Sequence, residues 1–132
     1  MSIPEDIRAY DRSLDAHDRE LCEHLGRAIS DALPEAEAKL WHRHPVWFLD
    51  GNPVVGYHRL SSGVRVLFWS GQSFPTPGLI DTGSFKAAEV YPGSVDGLAS
   101  LPMEAWLRDS RNIQWDYKDI MRKKRLDKRT DF

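Results

Sequence analysis

Three of the five histidines fall where they could act together. His42 and His44 are two residues apart in a predicted β-strand, Ala36 to His44, so their side chains would project from the same face of it. Paired imidazoles bind zinc, iron or copper when a third ligand joins them. Candidates for the third ligand are His58, Glu89 and Glu104. We therefore consider a metal site at His42, His44 and His58; the alternative is that these histidines only hydrogen-bond one another.

Tryptophan is abundant for a chain of this size, with five residues. A tryptophan-lined cavity can hold an apolar or cationic small molecule. The competing interpretation is that most of these rings fill the core or a dimer interface, where aromatic residues are also enriched. Our predicted ligand pocket contains Trp41, Trp47, Trp69, His42, His44 and His58.

One segment resembles a catalytic motif. Leu79 to Ser84 reads LIDTGS, like the active-site turn of aspartic proteases, in which two carboxylates share a proton. The basic and helical C-terminal third does not suit that fold, so a turn leading into a strand is favoured. The sequence contains no nucleophile elbow, phosphate loop, dinucleotide fingerprint or HExxH motif. We expect no catalytic residues and a binding protein rather than an enzyme; a metal-dependent enzyme is a remote alternative.

The composition is that of one globular domain. The 132 residues are 41% hydrophobic and 29% charged, which favours a folded chain. A net charge of −2 gives no overall attraction to nucleic acid or to acidic membranes, and we expect neither as a partner. Cys22, the single cysteine, cannot form an internal disulfide. With an acidic start that lacks an apolar signal segment, these features predict a soluble, cytoplasmic protein.

Periodicity predicts helices at both ends and strands between them. A helix is expected from Asp15 to Leu33, ended by Pro34, with a short helix before it. Asp50-Gly51 is a strong hairpin signal. We expect strands at Ala36–His44, Val54–Leu60, Val64–Trp69 and Ser84–Tyr91. A long loop is expected at Ser70–Gly83 and an irregular stretch at Pro92–Ala99. Two helices should follow: one is capped by Ser100 and carries Met103, Trp106 and Leu107, and the last starts at Ser110 or Asn112 and carries Ile113, Tyr117, Ile120 and Met121.

These elements predict an α+β fold. It would have an N-terminal helix, an antiparallel sheet of about five strands, and C-terminal helices packed mainly on one face. The expected core residues are Leu21, Leu25, Ile29, Leu40, Val66, Phe68, Ile113 and Ile120. Several strands carry large apolar groups on both faces, so the second sheet face should line a pocket or be covered by loops or a partner. A homodimer is one such arrangement.

Several segments together resemble domain of unknown function family 1801, the YdhG-like domains. They are LPEAE at 33–37, WHRHPVW at 41–47, FLDGNP at 48–53, LFWSG at 67–71, FKAA at 85–88 and NIQWDYK at 112–118. The resemblance implies a single YdhG-like domain over residues 1–132, with a core at about 15–125 and a basic tail at 126–132. One branch of that family is described as frataxin-like iron chaperones. The resemblance thus implies an intracellular iron carrier, and the alternative from the residues is a small-molecule pocket lined by Trp and His.

Overall fold

Two helices open the chain. In this computed structural model, which describes residues 3–119 and 127–129, α1 spans Glu5–Arg12 and α2 spans Ala16–Ala32. The side chain of Asp15 caps α2 by accepting a hydrogen bond from the amide of Asp18, at 2.9 Å. Pro34 follows the end of α2. Leu21, Leu25 and Ile29 form a buried apolar stripe along α2. The bounds of α1 and α2 confirm the predicted long helix and the shorter one before it.

A six-stranded antiparallel sheet follows. Its strands are β1 (Glu37–Trp41), β2 (His44–Leu49), β3 (Asn52–Leu60), β4 (Gly63–Phe68), β5 (Ile80–Asp81) and β6 (Ala88–Val90). Their order across the sheet is β1-β2-β3-β4-β6-β5, and every neighbouring pair is antiparallel. The predicted α+β class is confirmed. β5 is a short strand inside the predicted long loop, where two residues pair with β6.

The predicted strand from Ala36 to His44 is confirmed over Glu37–Trp41 but does not continue to His44, because a hairpin turn interrupts it. His42 and Arg43 have φ values of 52° and 72°, in the left-handed region. Two successive positive φ values make the tight turn that matches the twist of antiparallel strands. Neither residue is a usual turn former, which is why the sequence did not reveal this turn. As a result, Trp41 and His44 are directly paired across the hairpin and share one face of the sheet.

The second hairpin is the predicted one. Asp50 and Gly51 have φ values of 52° and 77° and join β2 to β3. The register shifts between Trp47 and Phe48, which marks a β-bulge in β2. β2 thus belongs to both hairpins, because it pairs with β1 on one side and with β3 on the other.

The C-terminal part differs most from expectation. A helix, α3, spans Val95–Ala99 in the stretch predicted to be irregular, and the Ser94 side chain caps it. Ser100 ends α3 rather than starting α4, which spans Met103–Asn112. Residues 113–119 are not helical, so the last predicted helix is wrong over that range. Ile120 and Met121 lie outside the described residues.

A buried side chain in β3 accounts for the non-helical course of residues 113–119. The Asn52 carboxamide oxygen accepts hydrogen bonds from the amides of Tyr117 (2.9 Å) and Lys118 (3.1 Å). These amides are donors that a helix would have used internally. Trp115 instead forms a β-bridge with Lys128, and Lys118 bonds the Asp50 carbonyl, so the segment lies against the β2–β3 turn.

The core lies between the helices and one face of the sheet. Of the predicted core residues, Leu21, Leu25, Ile29, Val66 and Phe68 are buried. Leu40 is only partly buried, because β1 is an edge strand. Ile113 is also only partly buried, since the chain leaves α4 at that residue. Ile120 lies outside the described residues.

Candidate functional site

The sheet face turned away from the helices carries most of the predicted site. Trp41 pairs with His44, and Glu37 pairs with Phe48, so these side chains share a face. Trp47 lies on the opposite face, where its indole Nε1 donates to Ser30 Oγ of α2 at 3.1 Å. We call the face bearing Trp41, His44, Phe48, His58, Arg65, Leu67, Trp69 and Glu89 the open face.

Three aromatic rings cluster on the open face. The Trp41 ring centroid is 5.6 Å from that of Phe48, nearly edge-on, and 6.2 Å from that of Trp69. Such edge-to-face and tilted pairs are the favourable arrangements of aromatic quadrupoles. The ammonium of Lys39 lies 4.9 Å from the Phe48 centroid, a cation–π contact. Trp41 is thus held in place by neighbours while 36% of it stays exposed.

The histidines are arranged differently from the prediction. The rings of His44 and His58 stack, with centroids 4.5 Å apart and planes within 12° of each other. His42 sits in the turn, and its ring packs on Trp41 at 4.3 Å. Its carbonyl lies 3.1 Å from Nδ1 of His44. The histidines are therefore neighbours on the open face and at its edge, but His42 does not project from a strand beside His44.

The local environment favours the uncharged form of the stacked histidines. Burial, and then the neighbouring His58, lower the pKa of His44 below its usual range. Burial, and then the positive charge of Arg65, lower the pKa of His58. The Arg65 guanidinium also lies 3.5 Å from the Glu89 carboxylate. Neutral imidazoles are competent metal ligands, but residues 3–119 and 127–129 contain no group of three His, Cys, Asp or Glu placed to hold an ion.

Of the predicted pocket residues, the structure brings together Trp41, His42, His44, His58 and Trp69. Trp47 does not belong to the site, because it is 1% exposed and packs in the core. Alternation in the sequence could not assign Trp47 to its face, since the hairpin turn and the bulge both shift the register. Asp81 of the protease-like motif is exposed in β5 at the edge of the sheet.

A groove of about 680 Å³ opens beside Trp41. Its lining consists of Glu37, Lys39, Trp41, His42, Phe48, Gly51, Pro53, Tyr117 and Lys118. Rings and a proline form its apolar part, and two lysines and one glutamate supply its charges. Trp69 lies behind Trp41 and supports it. The groove is large enough for a drug-sized organic molecule.

One wall of the groove comes from residues that sequence reasoning missed. Tyr117 and Lys118 were predicted to be helical, and Asn52 was taken as part of a turn. Asn52 is 0% exposed and fixes this wall through four hydrogen bonds. Besides its two bonds to Tyr117 and Lys118, its amide nitrogen donates to Gln114 Oε1 (3.1 Å) and to the Trp115 carbonyl (2.9 Å). An asparagine beside a hairpin turn gives no local sign of such a role.

A residue of the predicted basic tail also takes part in this wall. Arg129 is buried, and its Nη1 donates to Gln114 Oε1 at 2.6 Å. Its Nη2 lies 3.3 Å from the Asp50 carboxylate. Gln114 thus joins Asn52 and Arg129 in one polar network beneath the groove. This residue of the basic tail is therefore part of the folded domain.

Comparison with other proteins adds no assignment. None of the helices in the described part of the chain is long and apolar enough to cross a membrane. No family model, curated protein or solved structure was found to match this chain, so the resemblance to YdhG-like domains stays an expectation.

Proposed function

We propose that this protein is a non-catalytic binding protein that takes a small organic molecule with a planar apolar group into the groove beside Trp41. The observation that carries the proposal is the pairing of a partly exposed Trp41 with Phe48 at the mouth of a groove of about 680 Å³. Four other large aromatic side chains that pack on the sheet, those of Trp47, Tyr57, Phe68 and Trp106, are buried in the core.

The fixed position of Trp41 supports this proposal. The ring is held by Phe48, Trp69 and His42, and its strand is closed by a tight turn. A ring that is already ordered loses little conformational freedom when a ligand stacks on it. A planar ligand would gain both apolar burial and a favourable ring–ring contact. The groove is therefore prepared for a flat molecule rather than for a flexible chain.

Neither of the other candidate functions has an observation that favours it. The groove lining offers no hydroxyl or thiol nucleophile paired with a base, which acyl transfer or ester hydrolysis would need. Iron carriage, which the family resemblance implies, would need converging ligands. The described residues supply only the stacked pair His44 and His58 with His42 in the adjoining turn.

The proposal predicts that binding depends on Trp41. Naphthalene methanol, a neutral planar probe, should bind, and Trp41→Ala should weaken it at least about tenfold, because loss of a stacking surface costs about 1.4 kcal/mol or more. Titration calorimetry measures both affinities.

The matched control is Tyr91→Ala, which removes a ring that is 39% exposed but does not line the groove. Its affinity for the probe should equal that of the unaltered protein. If the Trp41→Ala protein bound the probe as tightly as the unaltered protein, with its circular dichroism unchanged, the proposed site would be refuted.

A further inference from the structure

From the charges that border the groove, we infer that its ligand is a planar organic anion, with an aromatic or conjugated body and a carboxylate or similar acidic group. This inference rests on the proposed function and specifies the class of ligand. It is carried by the positions of Lys39 and Lys118 on the groove, and by the hydrogen bonds that fix the wall bearing Lys118.

Lys39 and Lys118 approach the groove from different elements. Lys39 lies on the edge strand β1, and its ammonium is held 4.9 Å from the Phe48 centroid, next to the surface on which the ligand ring would stack. Lys118 belongs to the wall segment, and its ammonium donates to the Asp50 carbonyl at 3.3 Å. Each ammonium has three donors, so these contacts leave donors free for an acidic group.

The wall that carries Lys118 is fixed by buried groups. The backbone amides of Tyr117 and Lys118 are bound to Asn52, which is 0% exposed. Gln114, 2% exposed, bonds Asn52 and Arg129 in turn. The second lysine is thus attached to a rigid support rather than to a free chain end. Two cations beside an aromatic surface form a site for a flat anion.

A cationic ligand fits the same groove less well. Aromatic clusters can bind ammonium groups, and Glu37 could assist. However, the ammonium of Lys39 already occupies a face of Phe48, so a second cation would meet a like charge at that ring. With two lysines and one glutamate, the charged side chains of the lining add to a positive value. The anion is the better match to the local field.

Three probes with the same ring system separate the possibilities: naphthoate, naphthalene methanol and naphthyl methylamine. Calorimetry at low salt should show naphthoate binding about fivefold more tightly than the alcohol, with the amine weakest, since partly exposed ion pairs have modest strength. Added salt should reduce the advantage of the acid over the alcohol.

The double variant Lys39→Met and Lys118→Met should bring the ratio of acid to alcohol affinity close to one. The control Lys86→Met removes an ammonium that is 4.8 Å from the Trp115 ring but does not line the groove, and it should leave that ratio unchanged. Equal affinities for acid and alcohol in the unaltered protein, or tightest binding of the amine, would overturn the anion inference and leave the proposed function standing. No binding of any probe at millimolar concentration would overturn both.

Discussion

Asp11 is a carboxylic acid on the buried side of α1. It is 3% exposed, and the Tyr57 hydroxyl donates to its Oδ1 at 2.8 Å. Burial raises the pKa of Asp11 to about 6, and the bond from Tyr57 offsets this only in part. A second carboxylate on the same helix, Asp6, accepts from the Leu40 amide at 2.9 Å. Single acidic residues of α1 thus attach it to two different strands.

A pH dependence of stability follows from Asp11. Its folded-state pKa lies above the value of about 3.9 in an unfolded chain. The protonated acid therefore stabilises the fold below about pH 4, and this contribution is lost as the pH rises through about 6. The asparagine in Asp11→Asn cannot ionise, so this variant does not lose stability in that way. The free energy of unfolding of the variant, minus that of the unaltered protein, should therefore rise by on the order of 2 kcal/mol between pH 4 and pH 7.5.

Urea unfolding at several pH values measures this difference. Asp31→Asn, on the exposed surface of α2, corrects for the general loss of one carboxylate. A constant difference between the Asp11→Asn protein and the unaltered one across this pH range would show that Asp11 is not the titrating group.

At the scale of elements, the segment 113–119 determines the shape of the groove. It is held by one residue of β3, Asn52, and by the network that joins Gln114 to Arg129. The partners of Asn52 lie 62 to 66 positions away in the chain. Helical spacing of apolar residues favoured a helix here, but long-range capture of the backbone amides outweighed that local preference.

We expect Asn52→Ala to lower the free energy of unfolding by about 3 kcal/mol, because it removes four hydrogen bonds, three of them to partly buried backbone groups. It should also weaken naphthoate binding, since the wall that carries Tyr117 and Lys118 loses its attachment. Denaturant unfolding and calorimetry give the two values.

Asn112→Ala removes an exposed asparagine at the end of α4 and serves as the control, with an expected change within about 0.5 kcal/mol. If the Asn52→Ala protein were as stable as this control, the network would not hold the wall.

The sequence predicted elements well where local chemistry decides them. The cap at Asp15, the stripe of α2 and the Asp50-Gly51 turn all follow from short-range rules. The turn at His42 and Arg43 was missed because its residues resemble a strand. A continuous strand would put Trp41 and His44 on opposite faces, whereas the turn pairs them on one face.

At the scale of the whole molecule, the helices contribute to a core on one face of the sheet and leave the other face to aromatic and charged side chains. The α+β class could be predicted because it follows from the order of elements along the chain. The groove could not be predicted, since residues of β1, β2 and a C-terminal segment, which are far apart in sequence, line it together. The homodimer and the iron-carrier role stay predictions.

The most direct test of the central claim is to locate a bound ligand on the molecule. Amide and indole NMR spectra should be recorded during titration with naphthoate. The signals that shift most should belong to Trp41, Phe48, Tyr117 and Lys118, around the groove. Shifts concentrated on the helix side, in the hollow lined by Ala28, Met103 and Arg108, or no shift at millimolar naphthoate, would contradict it.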